Sequence, residues 1–508
     1  MTIIIVTIIC YLALMVGIGV AFSRKNKDVG DFYLGGRKLG PIVAAMSAEA
    51  SDMSSWLLMG LPGVAYLCGG AEAGWTAIGL AVGTYLNWLF VAKRLRLYSQ
   101  KCGAITIPDF FAKRYREDKN ILLGISALII LIFFIPYTAS GFSACGKLFE
   151  QLFGWDYHVA MIISAAIIIL YTSIGGFLAA STTDLIQSIV MTAALVIVVI
   201  FGVSNAGGLD HVIENAKALP GYLTLFENHN ADGTASPYSF LSIVSTMAWG
   251  LGYFGMPHIL LRFMAIKDHH KIKMSRRIAS IWVVISMGVA ILIGIIANDL
   301  SKIGLIDTFT KSSESETAII KIAFFMSEHG VLLAIFAGLI FAGILACTMS
   351  TADSQLLAAS SSASENILKG VFRIKLSEKQ SMLTARGILL VIAIVAVIIA
   401  WDKDSSIFEI VSFAWGGFGA TFGPVMLLAL FWKRSTKWGA VAGMAVGGIM
   451  VFVWKFLLAP IGGAFAIYEL LPAFVIALIV NVCVSLATKA PEKAITDEFD
   501  SVNVDMKA

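Results

Sequence analysis

Apolar runs long enough to cross a bilayer recur from one end of this chain to the other. A spanning helix needs about 20 mainly apolar residues. Roughly thirteen stretches qualify on that length: 3–22, 41–67, 70–92, 121–147, 157–176, 184–206, 239–261, 278–299, 318–348, 385–401, 407–431, 438–459 and 465–488. Backbone groups facing hydrocarbon must be bonded within their own segment, so such runs fold as helices packed side by side. Of 508 residues, 58% are hydrophobic and 14% charged, against about one quarter charged in a soluble domain. The expectation is an all-α polytopic membrane protein with a single transmembrane domain over 1–488. The segment 351–368 is less apolar and reads as a continuation of the ninth span. Residues 489–508 form a tail beyond the last span, and its polar part 492–508 reads as mobile.

Charge placement orients the bundle. The connections 23–40, 93–120, 262–277, 366–386 and 433–437, with the tail, hold 30 of the 37 Lys and Arg. The opposite connections hold only Lys217, Lys302, Lys311 and Lys403. The positive-inside rule places the first set in the cytoplasm, with the N-terminus outside and the C-terminus inside. The first 22 residues carry no Lys or Arg, and the basic cluster Arg24-Lys25-Asn26-Lys27 follows the apolar run. That order favours a retained first helix over a cleaved signal peptide. Gly207-Gly208, Asn228-His229-Asn230 and Asp232-Gly233 mark turns in the long outer connection 207–238.

Asp52 sits midway through the second span, in Ala50-Ser51-Asp52-Met53-Ser54-Ser55-Trp56. A carboxylate at the bilayer centre costs roughly 2.5–3.5 kcal/mol even on lenient scales, and the usual reason for one is a cation or proton bound within the membrane. Gly60, Pro62 and Gly63 follow it, the composition of a broken helix. The seventh span is interrupted likewise, by Trp249-Gly250-Leu251-Gly252-Tyr253-Phe254-Gly255-Met256-Pro257. Paired breaks five spans apart are the pattern of two inverted five-helix repeats, here 41–206 and 239–431.

A sodium site in lipid needs several oxygens, which unwound backbone and Ser/Thr hydroxyls supply without added charge. The second span offers carbonyls around Ala50 and Met53. The ninth offers Cys347-Thr348-Met349-Ser350-Thr351-Ala352-Asp353-Ser354. Isolated hydroxyls in a membrane helix usually bond back to the i−4 carbonyl; Asp353 and the second broken helix favour a site. Asp184 reads equally as a helix N-cap or as part of an ion path. Glu49, three residues before Asp52, is close enough to share its face, leaving one of the two protonated or outside the site. Trp249, Tyr253 and Pro257 recur every four residues; ordinary packing accounts for most such stripes, but the glycines between them open the backbone. Rings lining a small cavity can hold an ammonium group by cation–π attraction. The run Trp415-Gly416-Gly417-Phe418-Gly419-Ala420-Thr421-Phe422-Gly423-Pro424 reads as close helix packing. Arg37 is either an interfacial anchor or part of an inner gate.

Other classes find little support. No basic patch interleaved with aromatics suggests nucleic acid, and no phosphate loop suggests a nucleotide-driven pump. Cys10, Cys68, Cys102, Cys145, Cys347 and Cys483 form no metal or disulfide spacing and read as apolar fillers. His258, His269 and His270 lack a nucleophile or metal partner, so an enzyme is not expected. A channel would need a continuous polar pore, and no obligate protein partner is evident.

Together these residues resemble the sodium:solute symporter family, and within it the proline-transporting members. The resemblance spans nearly the whole chain. It is carried by Tyr33-Leu34-Gly35-Gly36-Arg37, Ala50-Ser51-Asp52-Met53-Ser54, Trp56-Leu57-Leu58-Met59-Gly60-Leu61-Pro62-Gly63, Gly175-Gly176-Phe177-Leu178-Ala179, the span-seven run, Pro257-His258, Arg262-Phe263-Met264-Ala265 and Met349-Ser350-Thr351. It implies a leucine-transporter-like five-plus-five repeat with one helix before it and two after. It implies a plasma-membrane importer of L-proline with sodium as coupling ion. The sodium site would use Ala50, Met53, Cys347, Ser350 and Thr351, with Asp52 in support and Asp184 on the ion's route inward; Asp353, outside the family pattern, is a further sodium-supporting candidate. Ser54, Ser55, Tyr137, Trp249, Tyr253 and Pro257 would form the proline pocket, and Arg37 the inner gate. Ser55 stands where Gly is usual and Glu49 where a small residue is usual, while Cys347 replaces a small apolar residue and Asp353 adds a carboxylate. The alternative within the class is a sodium- or proton-coupled symporter of another small amino acid or carboxylate.

Overall fold

The computed structural model describes residues 2–23 and 28–507. The basic cluster at 24–27 that helped orient the first span lies outside the described residues. Among those described, ten helices are long and apolar enough to cross a membrane. One of them, Tyr157–Asn205, has 49 residues. At 1.5 Å per residue that is roughly 74 Å, more than twice a hydrocarbon core of about 30 Å. Gly176 breaks it at φ 64°, ψ −169°, so the expected spans 157–176 and 184–206 are joined at a glycine rather than by a loop.

The two interrupted spans are not among those ten. The first runs as Pro41–Ser55, a wide turn over Trp56–Gly60, and Leu61–Cys68. The second runs as Phe240–Met247, a tight 3-10 stretch over Ala248–Phe254, and Pro257–Ala265. The expected ninth span, 318–348, is two helices. Ala318–Ser327 is short, and Gly330 at φ 111° separates it from Val331–Ser361. The apolar run concealed this junction because the short helix is itself almost wholly apolar. Beyond Ser361 the helix continues to Val371 with wider turns, as the sequence suggested.

Val331–Ser361 is the centre of the bundle. Every residue from Ile340 to Ser361 is buried, and the helix packs against Thr2–Ser23, Pro41–Ser55, Ile121–Phe153 and Tyr157–Asn205. Its small residues permit that all-round approach. In the connection 207–238 Glu227–His229 pairs antiparallel with Ala235–Pro237, around a turn in which Gly233 takes φ 82°.

The tail departs from expectation. Lys493–Lys507 is a docked helix, not a mobile segment. Ile495, Phe499 and Val502 recur at helical spacing and are buried. Phe499 lies under the guanidinium groups of Arg94 and Arg114, at 4.7 and 5.2 Å. Its acids meet the basic ends of other helices, in Lys101–Asp505 at 2.9 Å, Arg116–Glu498 at 3.2 Å and Lys433–Asp500. A polar average hid an apolar stripe and a complementary acidic face.

Candidate functional site

The first break falls at Ser54, which takes φ 47°, ψ −170°. A non-glycine residue at positive φ is strained and is held there by its surroundings. The glycines and Pro62 lie downstream of the actual break. Carbonyls freed from the helix find partners on other helices. Ser350 Oγ donates to Ala50 O at 2.8 Å and also lies 3.1 Å from Cys347 O. Tyr137 Oη donates to Asp52 O at 3.2 Å, and the Cys347 thiol donates to Ser54 O. Cys347 thus contributes more than its carbonyl.

Four of the five expected sodium ligands therefore share one neighbourhood: the carbonyls of Ala50 and Cys347 and the hydroxyls of Ser350 and Thr351. Thr351 Oγ1 bonds back to Cys347 O at 3.2 Å, the pattern expected of an unremarkable membrane threonine, but its oxygen remains beside the cluster. The carbonyl of Met53 accepts the Trp56 amide instead. These are neutral oxygens on an unwound backbone and on rotatable hydroxyls, a donor set suited to a hard monovalent cation.

At the second break, Trp415 Nε1 donates to Trp249 O at 2.7 Å and Asn87 Nδ2 to Tyr253 O at 2.9 Å. The backbones come very close here. A Cβ on Gly250 would meet the backbone of Gly79, and one on Gly419 that of Gly252, so glycines of both runs serve close approach. Tyr253 Oη donates to Asp52 Oδ2, which ties the two breaks together. Between them lies a small cavity of about 10 Å³, room for about one water molecule. Its lining includes Asp52, Met53, Trp56, Tyr137, Trp249 and Trp415. Trp249 stacks on Tyr468 at 5.3 Å and lies 5.7 Å from Trp56.

Of the expected pocket residues, Tyr137 and Trp249 line this cavity, and Tyr253 reaches it through Asp52. Ser54, Ser55 and Pro257 are buried but are not part of its lining. The stripe of Trp249, Tyr253 and Pro257 does not survive as one face. The 3-10 stretch turns every three residues, and Pro257 opens the next helix. Trp56 and Trp415 were not singled out from the sequence as pocket residues; a tryptophan beside a break was the available signal.

Asp184 is not a helix cap. It lies within Tyr157–Asn205, fully buried. Ser47 Oγ donates to its Oδ2 at 2.6 Å, and Arg262 Nη2 at 3.1 Å. Arg262 also donates to Ser354 Oγ, to Ser47 Oγ at 3.0 Å and to His258 O at 2.9 Å. Asp353 accepts Tyr171 Oη at 2.7 Å and Ser354 Oγ at 2.9 Å. Asp184 and Asp353 thus belong to one buried network that includes Arg262. In sequence Arg262, at the edge of a span, reads as an interfacial anchor, and nothing local marks Asp184 as its partner. Glu49 turns aside from Asp52 and accepts Trp88 Nε1 at 3.0 Å.

Arg37, at φ 55°, clamps three segments on the expected cytoplasmic side. It donates to Met264 O and Ala104 O at 2.6 Å each and to Ser99 O at 3.1 Å. Burial, with a smaller push from Arg96, lowers its guanidinium to about 10, which leaves it charged at neutral pH. At the surface, Asp268, His269 and His270 bring one ligand atom each within 4.8 Å of one another. Asp268 is already engaged by the His270 amide.

The sequence profile of the sodium:solute symporter family matches residues 32–447. The high-affinity proline transporter PutP of Bacillus subtilis (strain 168) is 42% identical over 492 residues, 96% of this chain and 98% of the relative. The osmoregulated proline transporter OpuE of the same strain is 40% identical, covering 97% and 96%. A sodium/proline symporter of Staphylococcus aureus is 39% identical, covering 98% and 95%. Among solved structures, the substrate-bound outward-open state of a Na+-coupled sialic acid symporter superposes with a TM-score of 0.79 at 19% identity, covering 97% of this chain and 99% of that one. MhsT in complex with L-phenylalanine gives 0.55 at 14%, covering 89% and 99%. At such identities the structures speak for the fold alone. With a profile match over most of its length and relatives aligned nearly end to end, the chain belongs to the sodium:solute symporter family.

Proposed function

We propose that this protein is a sodium-coupled secondary active importer of L-proline working by alternating access. The observation that carries the reading is the meeting of Ser350 with the Ala50 carbonyl at a broken helix, beside a cavity walled by tryptophans. Near-full-length relatives named as proline transporters support the substrate.

Sodium binds between the two helices through the carbonyls of Ala50, Met53 and Cys347 and the hydroxyls of Ser350 and Thr351. For that, the Ser350 and Thr351 protons turn away from the carbonyls they now serve, and each hydroxyl offers a lone pair. Asp52 supplies negative charge nearby. Proline's ring and ammonium lie against Trp249 and its neighbours, with Tyr137, Tyr253, Ser54, Ser55 and Pro257 shaping the surroundings. Its carboxylate meets free amides of the broken second span. Sodium leaves past Asp353 and Asp184, and Arg37 belongs to the inner gate. One charge crossing 100 mV releases about 2.3 kcal/mol, enough for roughly fifty-fold accumulation before the sodium gradient is counted.

The 49-residue helix counts as two crossings and each interrupted helix as one, so the chain crosses the plasma membrane about thirteen times. The two five-helix repeats, 41–206 and 239–431, lie in one domain over 1–488. The N-terminus is outside and the C-terminus cytoplasmic, a reading that the charge asymmetry supports.

Uptake of labelled L-proline into proteoliposomes, with sodium, potassium or proton gradients imposed separately, tests the reading. The expected result is concentrative uptake that requires an inward sodium gradient. Equal uptake on a proton gradient alone would move the coupling ion, and no uptake under any gradient would remove the substrate.

A further inference from the structure

One ring packed against Trp249 comes from outside both proposed repeats, 41–206 and 239–431. The last two spanning helices, Lys437–Ile461 and Leu470–Ala487, are joined by a short connection that carries Tyr468 near its end. That residue is held on three sides. Its amide donates to Ser245 Oγ at 2.7 Å, on Phe240–Met247. Its Oη donates to Ser412 O at 2.6 Å, on Ile407–Phe431. Its ring stacks on Trp249 at 5.3 Å, with 26° between the planes. Gly416 makes room for the hydroxyl, since a Cβ there would come within 3.3 Å of it.

The backbone of Trp249 is anchored, because its carbonyl accepts Trp415 Nε1 at 2.7 Å. The place of its side chain is set by the rings around it: Trp56 at 5.7 Å, Phe408 at 5.5 Å, Trp415 at 6.3 Å and Tyr468. Trp56 and Trp415 share the cavity wall with Trp249, whereas Phe408 and Tyr468 are outside its lining. Of those two, Tyr468 is the closer and, at 26° against 45°, the more nearly parallel. The cavity has room for about one water molecule, so proline fits only when the walls yield. How far the Trp249 ring yields depends on what stands behind it. A packed side chain does not move into occupied volume, but it relaxes into a void.

We infer that Tyr468 sets the ring size that the pocket accepts, by backing Trp249 and stopping it from retreating far enough to admit a substrate larger than proline. This deepens the reading of that cavity as the proline site and rests on it. Tyr468 is a positioning residue: it acts through Trp249 and does not touch the substrate. The terminal helix pair thereby takes part in selectivity.

The test is competition against labelled L-proline uptake, with the full-length protein in proteoliposomes under a sodium gradient. The competitors are unlabelled L-proline and L-pipecolate, its homologue with a six-membered ring. One extra methylene against a fitted apolar wall costs roughly tenfold or more, so the parent should prefer proline by at least about that factor. In Tyr468→Ala the preference should fall to about threefold or less, with pipecolate inhibiting at lower concentration than in the parent. Tyr468→Leu fills part of the void and should fall between the two. Tyr468→Phe keeps the stacked ring and should retain the parent's preference within about twofold. A merely structural role would weaken both ligands alike, and an unchanged ratio in Tyr468→Ala would overturn the inference. So would a ratio in Tyr468→Phe as low as that in Tyr468→Ala, or a parent that accepts pipecolate as readily as proline. Failure of both Tyr468→Ala and Tyr468→Leu to reconstitute would overturn it too, and would assign the residue to folding. A parent that takes up no proline would sink the transport reading itself, an outcome distinct from any change in the ratio.

Discussion

At the first break the freed carbonyls of Ala50 and Asp52 accept hydroxyls, from Ser350 and Tyr137. At the second, the carbonyls of Trp249 and Tyr253 accept N–H groups, from Trp415 and Asn87. A hydroxyl donates and accepts and can rotate, whereas an indole N–H only donates. The Ser350 bond can be exchanged for a cation that draws on both oxygens. The Trp415 bond cannot, because its nitrogen has no lone pair to offer. The same backbone defect thus carries bonds that can be exchanged at the first break and fixed ones at the second. Asp52 and Tyr253 join the two.

If that division holds, damage at each break has its own signature. Asp52→Asn acts on both and has the largest effect. Loss of one charge-assisted bond, up to about 3 kcal/mol, predicts a roughly hundredfold fall in sodium-driven proline uptake. Uptake above about a tenth of the parent's would show that the breaks are not coupled through this residue. Trp415→Phe strands the buried Trp249 carbonyl at a cost of ~1–3 kcal/mol. A lower unfolding midpoint and a higher proline half-saturation are expected, with the sodium half-saturation unchanged. A shift confined to sodium would erase the distinction. Ser350→Ala removes one oxygen, worth about 1 kcal/mol, and should raise the sodium half-saturation about fivefold at little cost in unfolding midpoint. Lys433→Ala, far from both breaks, removes an exposed pair with Asp500. Its effect on stability should stay below about 1 kcal/mol, and the kinetics of uptake should not change.

Much of the architecture could be read before any coordinates. The carboxylate of Asp52 within an apolar run marked the first break, because such a residue is too costly to be incidental. The glycine run around Trp249 marked the second. The errors share one cause. A stripe at every fourth residue presumes an α-helix, and Ala248–Phe254 winds more tightly, so Pro257 left the face of Trp249. A cap at Asp184 presumed that a helix begins there, and the break is at Gly176. The tail was judged by its average polarity, although Phe499 and Val502 are buried.

Composition and charge placement determined that this chain is a helical bundle in lipid, that it carries a carboxylate inside the membrane and that two of its helices are interrupted. Those are properties of consecutive residues, and local physics reads them directly. Only the tertiary structure decided which groups serve the interrupted backbones, which side chains wall the cavity, and that Tyr468 stacks on Trp249. Ser350 reaches a carbonyl 300 positions away, and the partner of Asp184 is 78 positions away. No periodicity connects such residues. They meet because desolvated charges and freed carbonyls must be satisfied inside the bundle, and which group satisfies each one depends on how the helices pack.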